Sequence, residues 1–264
     1  VSVKLTDAFM QASIDGKPFV QQYPIDADEP LFKKEISATD LWKKIVHNAW
    51  KSAEPGVLFW DTILRESVPD CYADLGYRTV STNPCGEIPL CPYDSCRLLA
   101  INLYFDLFKK HVALAQRIMD DIIDLELEKI ERIMAKIDSD PENEDVKHTE
   151  SVLWQKIYKK SGQGRRTGVG ITAEGDMLAA LGLRYGTEEA TEFAEKVHQT
   201  VALSAYRSSV EMAKERGAFE VYDSEREKNN PFINRLREAD PEMYEEMKKY
   251  GRRNIACLTI APTG

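Results

Sequence analysis

The sequence predicts an α/β fold, and three observations predict it. Two β-like runs, Arg78 to Thr82 and Arg97 to Leu103, bracket a loop carrying Pro84, Gly86, Pro89 and Pro92. Directly after the second run, from Phe105 to Ile137, apolar residues take up helical spacing. Leu107, Leu114, Ile118, Ile122 and Leu125 recur on one face, and Ile130, Ile133 and Ile137 follow. The last third reads as charged helices that end in an apolar closing strand, Asn254 to Ile260.

Taken in order, Val1-Ser-Val-Lys4 reads as a strand and Thr6 to Ile14 as a short helix, followed by a hairpin-like Asp15-Gly-Lys-Pro18. Ser37-Ala-Thr-Asp40 fits a helix N-cap, because a Ser side chain can accept from the backbone N–H three residues on. Leu41, Ile45 and Trp50 give that helix an apolar face, and Pro55-Gly56 stops it. Ser139-Asp-Pro141 ends the long helix, and a charged connection, Asp140 to Lys147, leads to a helix through Trp154. Gly162 to Gly170 reads as a glycine-rich turn, with helices after it from Ala173 to Leu181 and from Thr187 to Arg216. The opening without methionine and the stop at Gly264, where a strand meets a turn, read as cuts in a longer protein.

Composition narrows the class. The 264 residues, 43% hydrophobic and 30% charged, suit a soluble globular domain without a membrane span. A net charge of −9 argues against nonspecific nucleic-acid binding, which needs a basic face. An odd count of five cysteines, with Cys71 and Cys257 far from the rest and no signal peptide, points to a reducing, cytoplasmic setting.

Three motifs invite a ligand. Gly168, Gly170 and Gly175 lack the preceding hydrophobic strand of a dinucleotide fingerprint and suit a turn that lets a helix pack closely. Glu195-Lys-Val-His198 has the spacing that carboxylate-bridged di-iron bundles use twice, but it occurs once; Asp145-Val-Lys-His148 is the nearest imitation. Asp120, Asp121, Asp124 and Glu128 read as the acidic face of an amphipathic helix.

The thiols are more specific. Cys85, Cys91 and Cys96 are spaced C-x5-C and C-x4-C, a poor match to the paired spacing of structural zinc, and no metal is expected. Asn83-Pro-Cys-Gly-Glu87 puts a thiol, an amide and a carboxylate on one tight turn, since Gly86 lets the chain fold sharply. That set is a thiol, a hydrogen-bonding group and a general base around one small volume.

Asn83-Pro-Cys-Gly-Glu87, Pro92-Tyr-Asp-Ser-Cys-Arg-Leu98, Ile101-Asn-Leu103, Arg165-Arg-Thr-Gly-Val-Gly-Ile-Thr172, Asp176 to Tyr185 and Leu258-Thr-Ile-Ala-Pro-Thr-Gly264 occur in this order. Together they resemble the catalytic subunit of ribonucleotide reductase, in the wording of its adenosylcobalamin-dependent (class II) form, over essentially the whole chain. The class I form, whose radical comes from a separate metal-bearing subunit, is the nearest rival.

The resemblance implies that residues 1–264 are part of a single catalytic domain, the family's ten-stranded α/β barrel, with the cysteine turn as its finger loop. It implies a thiyl-radical mechanism: Cys85 removes the 3′ hydrogen of the ribose, Glu87 takes the 3′-hydroxyl proton, and Asn83 hydrogen-bonds the substrate hydroxyls. Cys96 matches one of two reducing thiols, whose partner lies on a strand upstream of this chain; Cys91 matches no role. Ser81 and Thr82 beside the finger, and Ala261, Pro262, Thr263 and Gly264 at the phosphate loop, are the implied substrate-binding positions. The implied partners are adenosylcobalamin, a ribonucleoside di- or triphosphate, a thiol reductant such as thioredoxin, an allosteric nucleotide bound by regions outside this chain, and a second copy in a homodimer.

Overall fold

The computed structural model describes residues 1–25, 27–103 and 108–262, with backbone only at Phe108. These residues form two compact units, Val1–Glu66 and Ser67–Gly264.

In the first unit, β1 (Ser2–Leu5) leads to α1 (Asp7–Asp15), capped by Thr6, whose Oγ1 accepts from Phe9 N at 3.2 Å. Gly16 closes α1 in the left-handed region (φ 67°) and turns the chain into β2 (Pro18–Tyr23). The Asp15 to Pro18 stretch is therefore a helix-to-strand turn rather than the hairpin its composition suggested. The hairpin lies further on, where β3 (Phe32–Ser37) pairs antiparallel with β2 from Pro18↔Ser37 to Tyr23↔Phe32.

Ser37 caps α2 (Ala38–Ser52) by accepting from Asp40 N at 3.2 Å, as its sequence predicts. Ile45 is buried in the small core with Leu5, Phe9 and Ala38, but Trp50 is 80% exposed. The expected face thus stops at Ile45. β4 (Gly56–Phe59) runs parallel to β1, and α3 (Trp60–Glu66) ends the unit.

The second unit opens with a 3-10 turn at Pro69–Leu75. Its strands are β5 (Ser81–Thr82), β6 (Pro89–Leu90), β7 (Leu98–Asn102) and β8 (Gly168–Thr172). Its helices are α4 (Phe108–Ser139), α5 (Glu144–Gly164), α6 (Glu174–Ala180), α7 (Glu188–Arg216), α8 (Ser224–Glu227), α9 (Pro231–Ala239) and α10 (Pro241–Tyr250). The expected start of the long helix at Phe105, and Leu107, lie outside the described residues. Asn143 caps α5, accepting from Asp145 N at 2.8 Å, so the connection from α4 is shorter than expected.

The main core lies between α4, α7 and the β7–β8 pair, with Val112, Ala115, Met119, Val169, Ile171, Val201 and Ala205 buried together. The apolar face assigned to the first half of α4 is the wrong one, since Leu114, Ile118, Ile122 and Leu125 are exposed, whereas Ile130 and Ile137 further along are buried as expected. The buried face instead carries Val112, Ala115, Met119 and Ile123, together with Gln116 and Asp120. Asp120 is fully buried and so does not belong to a solvated acidic face. Its Oδ1 accepts from Arg165 Nε at 2.7 Å and Asn254 Nδ2 at 2.9 Å, and its Oδ2 from Arg253 Nε at 3.2 Å. Such a buried charge is tolerated because it is paired and hydrogen-bonded.

The Gly168–Thr172 stretch is a buried strand, not a glycine-rich turn. β7 and β8 pair in parallel from Leu98↔Gly168 to Asn102↔Thr172. Along the other edge of β8 runs the closing segment, with Thr167 N to Ala256 O at 3.0 Å, Val169 N to Cys257 O at 2.8 Å and Thr259 N to Val169 O at 3.1 Å. Gly170 allows this approach, because a Cβ there would meet the Thr259 carbonyl oxygen. Among the described residues the strands pair two by two, and no closed barrel forms.

Candidate active site

The cysteine turn is the tip of a short hairpin. β5 and β6 pair as Ser81↔Leu90 and Thr82↔Pro89, and Val80 N and Asn83 N extend the ladder to Leu90 O and Ile88 O. At the tip Gly86 N donates to Asn83 O at 3.1 Å, which makes Asn83 to Gly86 a turn with Pro84 and Cys85 at its centre; Gly86 takes φ 86°. Cys85 is exposed and makes no hydrogen bond among the described residues.

Asn83 folds back on its own loop, its Oδ1 accepting from Ile88 N at 3.1 Å, which fixes the backbone beside Glu87. The Asn83 amide NH2 makes no hydrogen bond among the described residues. Thr259 Oγ1 donates to Glu87 O at 3.4 Å and ties the hairpin to the closing segment. Ser81 is exposed, and Thr82 Oγ1 donates to Asn83 O at 3.0 Å, so the two act on the loop's own backbone. Ala261 and Pro262 continue from the closing segment; Thr263 and Gly264 lie outside the described residues.

A cavity of about 120 Å3 opens where the hairpin meets the parallel strands, lined by Ser67, Glu87, Cys96, Arg166, Thr167 and Leu258 among others. Cys96 enters from the start of β7, Arg166 from the start of β8 and Glu87 from the hairpin. Two polar atoms here, Glu87 Oε2 and Arg166 Nη2, are buried without a partner among the described residues. A donor and an acceptor both unsatisfied at one cavity suit a hydroxylic ligand.

Sequence reasoning missed Arg166 and Asp94. Arg166 Nε donates to Asp94 Oδ2 at 2.7 Å, with both side chains buried. Asp94 sits midway between Cys91 and Cys96, and Cys91 Sγ lies 3.6 Å from its Oδ2. Burial opposes the Arg166 charge, but Asp94 outweighs it and holds the guanidinium protonated. The signal was an arginine doublet in an acidic chain and an aspartate between two cysteines. Arg97, next to Cys96, is anchored on α4 by two bonds to Glu126, at 2.5 and 2.6 Å, and its Nη1 donates to Arg166 O at 3.1 Å.

Burial pushes the Cys96 thiol up to about 12, with Arg166 and Arg97 pulling the other way. It pushes Cys91 up to about 12 as well, with Asp94 adding to the rise. All five cysteines are free thiols, Cys91 and Cys96 included.

The other candidate motifs assemble less. His198 Nε2 lies 3.4 Å from Glu174 Oε2, both partly exposed, and Glu195 is solvated. Among the described residues, the one group of acids and histidines close enough to share an ion is Asp120, Asp121 and Asp124, where Asp120 is already committed to arginines. A wider groove of about 710 Å3 between α4 and α7 gathers ions that are already paired, Arg207 with Asp240 and Arg117 with Glu215, and no thiol.

Residues 3–264 match the family model described as "Ribonucleotide reductase, barrel domain". Among curated proteins, the chain is 32% identical over its whole length to a vitamin B12-dependent ribonucleoside-diphosphate reductase of Thermoplasma acidophilum, covering 29% of that protein. It is 28% identical to the protein of the same name from Mycobacterium tuberculosis, covering 32% of it. The chain therefore spans under a third of the length of these relatives. Among solved structures, the Actinobacillus ureae class Id ribonucleotide reductase alpha subunit superposes on 99% of the chain and 40% of its own, with TM-score 0.66 and 20% identity, a likeness of fold.

Proposed function

We propose a function from one premise: the chain belongs to the ribonucleotide reductase barrel-domain family. The proposed activity is reduction of ribonucleotides to deoxyribonucleotides through a thiyl radical, with this chain as the catalytic core segment of the enzyme. The observation that carries it is the hairpin, which holds Cys85 bare at its tip while its own Glu87 lines the same cavity as Cys96.

The thiyl radical of Cys85 takes the hydrogen atom from C3′ of the ribose, re-forming S–H and leaving the radical on the sugar. Glu87 takes the 3′-hydroxyl proton, and the free Asn83 NH2 orients the hydroxyls. The 2′-hydroxyl leaves as water. Two thiols supply the two electrons and two protons of the net reduction and become a disulfide; Cys96 is one of them. Cys85 then returns the hydrogen atom to C3′.

Adenosylcobalamin is the proposed cofactor, supported by the names of the relatives above, and an unencumbered Cys85 thiol fits it. When bound, it supplies the radical that oxidises Cys85. Ala261 to Gly264 begin the proposed phosphate-binding loop for a ribonucleoside di- or triphosphate. A dithiol protein such as thioredoxin re-reduces the site, an allosteric nucleotide binds elsewhere in the enzyme, and two copies form a homodimer. The proposed location is the cytoplasm, where five unpaired thiols remain reduced.

The test is Cys85→Ser in the full-length reductase. Turnover should vanish with nucleotide affinity nearly unchanged, and retained turnover would remove the reading.

A further inference from the structure

We propose that Arg166, clamped by Asp94, is a positioning residue for the Cys96 thiol: it holds a fixed cation at the wall of the cavity that this thiol faces. The inference rests on the reading of Cys96 as a reducing thiol, but its chemistry belongs to the residues themselves.

Three observations of geometry support it. Arg166 is buried, with one nitrogen bound to Asp94 and Nη2 without a partner, and it lines the same cavity as Cys96. Gly168, two residues further along, leaves room for the sulfur, since a Cβ there would lie 2.7 Å from Cys96 Sγ. The Arg97 side chain bonds the Arg166 carbonyl, so the residue after Cys96 and the cation are locked to one another. A guanidinium fixed in this way needs no reorganisation when charge develops on sulfur.

The charged and titratable groups that act on Cys96 are Arg166 and Arg97, which favour its thiolate, and Asp94 and Glu87, which oppose it. Burial exceeds them all. A reducing thiol in so dry a place would stay inert without a nearby cation, because the thiolate is the reactive form.

The test is alkylation by iodoacetamide, in which the Cys96 sulfur displaces iodide and its proton goes to solvent, followed by peptide mass spectrometry of the Cys96 peptide. Removing a neighbouring charge shifts a thiol by about one unit or more, a tenfold change in thiolate. Lower basicity takes back about half of that on a logarithmic scale, leaving about a three-fold change in rate.

Arg166→Gln should slow Cys96 labelling by about three-fold or more, and Asp94→Asn should speed it by a similar factor. Arg166→Lys, which keeps the charge, should stay near the wild-type rate. The double variant D94N/R166Q separates charge from loosening: if the freed cation causes the acceleration, the double loses it. Both single variants labelling faster, or a double variant as fast as D94N, would overturn the proposal. Should R166Q not fold, a folded D94N that labels at the wild-type rate is enough to overturn it. The readout needs no turnover, so failure here leaves the reductase reading standing, and failure of the Cys85→Ser test leaves this labelling pattern intact.

Discussion

Gly168 and Cys96 meet so closely that a Cβ on the glycine would lie 2.7 Å from the sulfur; it would also lie 2.8 Å from Thr259 Cγ2 and 2.9 Å from Arg97 O. Backbone on one side leaves little room to give. Gly168→Ala should therefore cost about 1–3 kcal/mol by overpacking and displace the thiol from the cavity. Urea unfolding checks the first effect, and a greater than two-fold change in Cys96 alkylation, on the order of that argued for the charge variants, checks the second.

Cys96→Ser and Cys91→Ser should differ sharply. In the proposed reaction hydrogen abstraction from C3′ precedes oxidation of the reducing thiols, so the Cys96 variant should start the reaction and fail, releasing tritium and free base from a 3′-tritiated nucleotide. Cys91 is buried against Tyr72, Tyr77 and Ile255 and does not line the cavity, so Cys91→Ser should be close to silent in product analysis. Normal deoxynucleotide formation by the Cys96 variant would transfer the role to Cys91.

Glu87→Gln keeps the shape of the side chain and removes the proposed base. A general base contributes about 10² to 10⁴ in rate, so kcat should fall within that range while KM changes far less. An unchanged kcat would show that the 3′-hydroxyl proton leaves by another route.

Asp120→Ala removes the buried carboxylate that accepts from Arg165 Nε, Asn254 and Arg253, leaving Arg165 only its pair with Asp124 at 2.8 Å. Breaking a buried pair from one side costs about 3–5 kcal/mol. Exposed Asp121, one residue along, should stay within about 0.5 kcal/mol when changed to alanine. Urea midpoints at unchanged m-values would separate the two.

Stability should fall at alkaline pH. Burial raises both Cys91 and Cys257 from 9.0 to about 12. A raised acid keeps its proton in the native state after the unfolded chain has lost it. Its contribution is full below about 9 and is lost as the pH climbs toward about 12, at up to about 1.4 kcal/mol per pH unit for each thiol. Urea midpoints should be flat near pH 8 and fall above about 9, with a shallower slope in Cys91→Ala/Cys257→Ala. A slope unaffected by that double change would assign the loss to other groups, such as the buried tyrosines.

Local signals in the sequence read well where the physics is local. Ser37 capping Asp40 needs only a hydroxyl three residues before an N–H, and the cap is present. The turn at Asn83 to Glu87 was legible for the same reason. Reading α4 failed because the helix is apolar on two faces, at 114, 118, 122 and 125 and at 112, 115, 119 and 123, and the buried face also bears Gln116 and Asp120. Those polar groups are satisfied by Thr167, Asn254 and Arg165, which lie far along the chain where no window of sequence connects them. Arg166 escaped notice likewise, since its meaning comes from Asp94, separated from it by |i−j| = 72.

The cavity takes its walls from the hairpin, the start of β7, the start of β8 and the closing segment at Ala256 and Leu258. During synthesis Cys96 emerges before the closing segment that shelters it. Until the closing segment docks along β8, Glu87 lacks its tie to Thr259 and the Arg166 side of the pocket has no floor. Contacts of such sequence separation form late, after the entropy of closing long loops has been met. A half-made chain would therefore expose its cysteines as ordinary thiols. The proposed radical chemistry would then wait on the docking of the closing segment and not on the appearance of the thiols, a safeguard written into the order of the chain.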